Sequence, residues 1–125
     1  MKKRGIGFHH ALRGLWVTVR HGRNMRICLT AAVFAVTAGI LGRIEPWAWA
    51  AVSLCCGAVL SAELLNSALE SLCDRVSTEK NEFIRNAKDM AAGAVLLAAA
   101  VSVVVAVIVF GRSEILENLM FWRQL

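Results

Sequence analysis

Glu63, Asn66, Glu70 and Asp74 stand at i, i+3, i+7 and i+11 in the stretch Glu63-Leu-Leu-Asn66-Ser-Ala68-Leu-Glu70-Ser-Leu-Cys-Asp74. At about 100° per residue, a helix places all four within roughly an 80° arc. The stretch follows directly on an apolar run, so this is a polar line on a hydrophobic helix. Acids inside a membrane segment are rare, face the interior of a bundle and mark function by default. A solvated terminal turn accounts for Asp74 and for Glu70. It accounts poorly for Glu63, which has Leu60, Leu64 and Leu65 beside it. Lys88-Asp89 adds a cation and an acid across a short polar connection. Carboxylates bind Mg²⁺, lysine neutralises phosphate, and a partly desolvated glutamate can accept a proton near neutral pH. These are the parts that phosphoryl transfer needs, since that reaction depends on positioning and charge neutralisation.

The elements that position these groups are set by composition. Of 125 residues 58% are hydrophobic, and the mean hydropathy is +0.59. That describes one domain, 1–125, too apolar to be soluble. Three runs approach the ~20 apolar residues that cross a ~30 Å hydrocarbon core. We expect an all-α membrane protein with spans at 26–43, 47–74 and 87–110. The β-branched run at 101–109 looks strand-like by propensity, but in lipid every backbone group must be satisfied internally, so helix prevails. The span at 47–74 exceeds the hydrocarbon core by about 10 Å. Its excess is expected on the cytoplasmic side, which places Glu63 within the inner part of the bilayer and Glu70 and Asp74 at its inner boundary.

Ahead of the spans, residues 8–24 read as an amphipathic helix. Phe8, Ala11, Leu12, Leu15, Trp16 and Val19 share one face, and His10, Arg13, Arg20, His21 and Asn24 lie on or near the other. This pattern suits a helix lying in the interface. His9 and His10 do not have the spacing of a metal pair. Gly42-Arg-Ile-Glu45-Pro46 reads as a tight turn, with Pro46 at the first helical position, where its missing N–H costs nothing. Trp47 and Trp49 are expected as interfacial anchors. Residues 111–125 read as a short external tail helix.

The net charge of +5 does not signal nucleic-acid binding, because no basic stripe with interleaved aromatics occurs. The cations sort by membrane side instead. With the N-terminus cytoplasmic, eleven Lys and Arg lie inside and only Arg43, Arg112 and Arg123 outside, which satisfies the positive-inside rule. Cys28, Cys55, Cys56 and Cys73 form no Cys-x-x-Cys pair and lie in or beside apolar helix, where they read as small packing residues. No Walker-type glycine loop, Ser/His/Asp set or His-Glu-x-x-His is present.

The strings Glu63-x-x-Asn66-x-Ala68-x-Glu70, Asp74, Ala87-Lys88-Asp89, Ala91-Ala92-Gly93-Ala94-Val95 and Arg23-Asn24-Met25-Arg26 resemble the small bacterial membrane kinases of diacylglycerol and undecaprenol. The resemblance covers roughly residues 3 to 110. It implies a homotrimer of three-span protomers in the bacterial inner membrane, with ATP and Mg²⁺ used to phosphorylate a lipid alcohol. By position, Glu63 corresponds to the catalytic base and Glu70 to a metal ligand that also lies at the ATP. Asn66 and Asp74 fall among the polar active-site residues. Glu79, Lys80, Asn81, Lys88 and Asp89 correspond to nucleotide-binding positions, as do Lys3 and His10 near the N-terminus. One departure stands out: Gly22 occupies the position of a second metal-binding glutamate, and no acid occurs before Glu45. A weakened or inactive member of the family is therefore one alternative. A small proton-coupled transporter that uses Glu63 is another, although it leaves Lys88-Asp89 without a role.

Overall fold

Residue types that end helices divide this chain. Gly22, the Arg43-Ile44-Glu45 turn before Pro46, Asn81 and Gly111 each mark a boundary. A computed structural model describes residues 7–76 and 81–125. Between the boundaries run α1 (Phe8–His21), α2 (Arg23–Gly42), α3 (Pro46–Val76), α4 (Glu82–Phe110) and α5 (Ser113–Arg123). Every regular element among the described residues is helical. Three of them, α2, α3 and α4, are long and apolar enough to cross a membrane. At 1.5 Å per residue the 31 residues of α3 extend about 46 Å, and those of α4 nearly as far.

The surface helix stops earlier than the expected 24. Gly22 takes an extended conformation (φ −100°, ψ 111°) and separates α1 from α2. Glycine ends helices readily because it loses most backbone entropy inside one. The third long helix starts earlier than the expected 87. The Oδ1 of Asn81 accepts from the N–H groups of Phe83 (2.9 Å) and Ile84 (3.5 Å), an N-cap that fixes the start at Glu82.

The exposed apolar surface is what a lipid environment covers. Phe8, Leu12 and Trp16 of α1 project outward, as do Phe34 of α2 and Leu96 and Leu97 of α4. α3 packs chiefly along α4, and α2 lies against α3. The dense core sits at one end, where Ile44, Ala48, Val52, Val109 and Ile115 are buried together. We call this the turn end. Trp49 was expected in the interface beside Trp47, but it packs against Gly39, where a Cβ would lie 2.8 Å from the indole. Glycine leaves the room that draws this indole inward. Trp47 stays half-exposed, with the Arg112 guanidinium 5.5 Å from its ring.

At the turn end, all four terminal carbonyls of α2 are satisfied. The N–H of Ile44 donates to Gly39 (3.2 Å) and that of Arg43 to Ile40 (3.3 Å). This is the Schellman pairing, with Arg43 in the left-handed position (φ 52°) usually held by glycine. The other two carbonyls accept from α5. Trp122 Nε1 donates to Leu41 (2.9 Å), and Asn118 Nδ2 to Gly42 (3.0 Å).

Candidate active site

The opposite end of the long helices carries the polar line. Glu63 and Asn66 are buried, at 3% and 5% exposure, while Glu70 and Asp74 are exposed. Burial of the first two follows from their place on the face of α3 that turns toward its neighbours. Asn66 Nδ2 donates to Glu70 Oε1 at 3.4 Å. The other amide atom, Asn66 Oδ1, is buried and accepts from no protein group among those described. Buried polar atoms are normally satisfied, so an orphaned oxygen beside a carboxylate is an open coordination or hydrogen-bond position.

Glu63 and Glu70 are seven residues apart, about 10 Å along the axis. Beyond Glu70, Lys88 Nζ meets Asp74 Oδ1 at 2.8 Å and ties the start of α4 to the end of α3. Asp89 is exposed one residue on.

A groove of about 680 Å³ runs beside this line between α1 and α3. From α3 it is lined by Ser67, Glu70, Ser71 and Asp74, and from the α1 side by Thr18, His21 and Gly22. Gly22, in extended backbone at the junction, lines the same groove as Glu70. An added Cβ there would lie 2.6 Å from the Thr18 carbonyl oxygen, so this conformation leaves no room for a side chain. His21 faces the same groove, though amphipathic periodicity alone assigned it only to a polar surface. Periodicity could not have found it, because the groove depends on how α1 packs against α3.

The remaining candidates are distributed differently. His10 is exposed on α1, tilted against His9 with 4.0 Å between ring centroids, and does not line the groove. Asn81 uses its carbonyl oxygen to cap α4, which leaves its Nδ2 for any ligand. Lys3, Glu79 and Lys80 lie outside the described residues.

Among the described residues, no three His, Cys, Asp or Glu side chains converge as a ready-made cation cage. The donors near Glu70 are hard oxygens: its own carboxylate and the free Oδ1 of Asn66. That set fits Mg²⁺, which commonly takes one or two carboxylates and keeps several waters.

Next to Glu63, a second cavity of about 300 Å³ opens between α2, α3 and α4. Leu60 and Val59 stand at its near end and Val52 and Phe110 at its far end. Its lining is apolar apart from the thiols and the Ser102 hydroxyl, which is returned to its own helix at Ala98.

Three helices of spanning length, with a buried carboxylate and amide toward one end, define an integral-membrane protein whose polar site lies at the edge of its apolar zone. The chain belongs to the prokaryotic diacylglycerol kinase family, whose model matches residues 9–110. It is a lipid kinase by that membership. The undecaprenol kinase of Bacillus subtilis (strain 168) is 35% identical over 103 residues, which cover 82% of this chain and 84% of that one. The diacylglycerol kinase of Synechocystis sp. is 41% identical over 101 residues, 80% of this chain and 58% of that longer protein. The diacylglycerol kinase of Escherichia coli (strain K12) is 46% identical over 46 residues, 37% and 38% of the two chains.

Proposed function

We propose that this protein transfers the γ-phosphoryl group of ATP to the hydroxyl of a membrane lipid alcohol, undecaprenol or diacylglycerol, with Mg²⁺ as the metal. The observation that carries the reading is the pairing of buried Glu63 and Asn66 with exposed Glu70 and Asp74 on one helix face. A lipid hydroxyl approaches such a line from the apolar side and a nucleotide from the wet side.

In this reading Glu63 accepts the hydroxyl proton as the lipid oxygen bonds to phosphorus. The bond from phosphorus to the bridging oxygen breaks, and ADP leaves. Glu70 and Asn66 Oδ1 would hold the magnesium, which when bound neutralises phosphate charge. Lys88 exchanges its contact with Asp74 for a phosphate oxygen. Asp89, Asn81, His10, Lys3, Glu79 and Lys80 are proposed around the nucleotide. Membership of the kinase family favours this over proton-coupled transport.

The cation distribution supports a cytoplasmic N-terminus and a site on the cytoplasmic face of the bacterial inner membrane. A homotrimer, with sites completed between protomers, follows the family resemblance. The Bacillus relative supports undecaprenol and the Synechocystis relative diacylglycerol, so both alcohols stand as candidate substrates.

A second reading, a weakened kinase, draws on Gly22, where the groove beside Glu70 has backbone in place of an acid. The test of both is a phosphorylation assay in mixed micelles offering undecaprenol and diacylglycerol side by side, with and without magnesium. Magnesium-dependent transfer to either lipid supports the first reading. A correctly folded protein that transfers to neither overturns it.

A further inference from the structure

The family match ends at residue 110, and α5 begins at Ser113, beyond it. Yet α5 is built into the fold. Two of its side chains complete the end of α2, and Ile115 is buried against Gly42 so closely that a Cβ there would lie 2.8 Å from Ile115 Cγ2. The Arg43 guanidinium sits 5.5 Å from the Phe121 ring and 5.6 Å from the Trp122 ring. A helix held by hydrogen bonds, apolar burial and cation–π contacts at once is a clamp.

What it clamps is the far end of the apolar cavity. Val52 is both part of the cavity wall and part of the buried cluster that contains Ile115. Phe110, Val105 and Cys56 line the cavity and pack against that same cluster. The cavity is therefore backed by α5 through one layer of side chains. From Glu63 to Val52 is eleven residues, roughly 16 Å along the helix.

We propose that α5 sets the depth of a site for the hydrocarbon chain of the lipid substrate. The chain enters beside Glu63, lies between α2, α3 and α4, and stops on the layer that α5 holds in place. The proposal rests on the reading of Glu63 as the group that meets the lipid hydroxyl. The occupant is argued from continuity: the cavity begins one helical turn from Glu63, and the substrate of a lipid kinase carries a chain directly attached to the reacting headgroup. A chain longer than the cavity must bend out sideways into the bilayer. Ile115 is thus a positioning residue, acting through Val52 and Val109.

The test compares dioctanoylglycerol with dioleoylglycerol, and farnesol with undecaprenol, as substrates of the full-length protein. Filling the deep part of the cavity with Ala106→Phe should lower the long-chain rate relative to the short-chain rate. The expected change in that ratio is on the order of tenfold, the lower end for steric discrimination in an apolar pocket. Relaxing the stop with Ile115→Ala should move the ratio the opposite way. A parallel loss on all substrates in both variants would make α5 a stabilising helix only, and the proposal would fall.

A lipid alcohol with a diazirine at its chain end gives a readout independent of turnover. With a chain cut to the roughly 16 Å between Glu63 and Val52, it should label residues 52–56 and 105–110. Labelling confined to outward residues such as Phe34 and Leu97 would overturn the proposal, as would cross-linking that shows a second copy of the chain in the cavity. Labelling at the stop without phosphate transfer to any lipid would instead keep the chain site and reject the kinase reading of Glu63.

Discussion

Lys88 Nζ and Asp74 Oδ1 lie 2.8 Å apart, joining the polar end of α3 to the start of α4. The side chain of Asp74 remains 69% exposed and that of Lys88 38%. Water screens ion pairs that are so well solvated, and they contribute little to stability. The pair is therefore a poor staple, and it leaves a cation poised beside the groove. Lys88→Ala should raise the apparent KM for ATP while leaving the melting temperature nearly unchanged, as expected when a solvated ion pair is lost. Steady-state kinetics over an ATP series, beside a thermal melt in the same detergent, check this. An unchanged KM would make Lys88 a lysine that merely reaches toward the interface.

Asn66 separates function from stability. Its Oδ1 is buried without a partner, a state that costs about 1–3 kcal/mol. Asn66→Leu removes that unsatisfied group, so the variant should melt at the same temperature or higher. Activity should fall sharply, because the oxygen proposed beside the metal is gone. Full activity in Asn66→Leu would reduce the residue to a packing role.

Gly22 decides whether the missing acid matters. Any side chain there must displace the Thr18 carbonyl, so Gly22→Glu carries both a backbone shift and a carboxylate. Gly22→Ala carries only the shift. The carboxylate should lower the magnesium concentration for half-maximal rate relative to both the alanine variant and the wild type. Magnesium titrations of the three proteins should thus give a displaced curve for glutamate alone. Three coincident curves would place residue 22 away from the metal.

Arg43 tests the clamp from the other side. A non-glycine residue in the left-handed region costs roughly 1–2 kcal/mol, and each exposed cation–π contact returns about 0.5–1 kcal/mol. Arg43→Gly relieves the backbone and loses the contacts, so the two effects nearly cancel. Arg43→Ala loses the contacts and keeps the strain. Thermal melts should rank wild type and Arg43→Gly together, with Arg43→Ala below both by about 1 kcal/mol.

The helical plan was legible because its signals are one-dimensional. Apolar length reports α2, α3 and α4, and the three- and four-residue spacing of Glu63, Asn66 and Glu70 reports a shared face. Three features were not legible. The Gly22 break depends on a local choice between continuing one helix and starting another, and glycine tolerates both. Asn81 reads equally as a ligand-binding loop residue or as a cap, and only the backbone of Phe83 and Ile84 distinguishes them. The contact of α5 with the end of α2 joins residues 76 and 81 positions apart, which no periodicity encodes.

The central claim is that buried Glu63 takes the proton from a lipid hydroxyl as phosphate is transferred. The most direct test measures transfer of labelled γ-phosphate from ATP to lipid in mixed micelles, comparing wild type with Glu63→Gln. The amide is nearly isosteric but cannot accept the proton. Transfer by the wild type is expected, with a rate about 10²- to 10⁴-fold lower in the variant and an unchanged helical circular dichroism spectrum. Transfer by Glu63→Gln at the wild-type rate would contradict the claim.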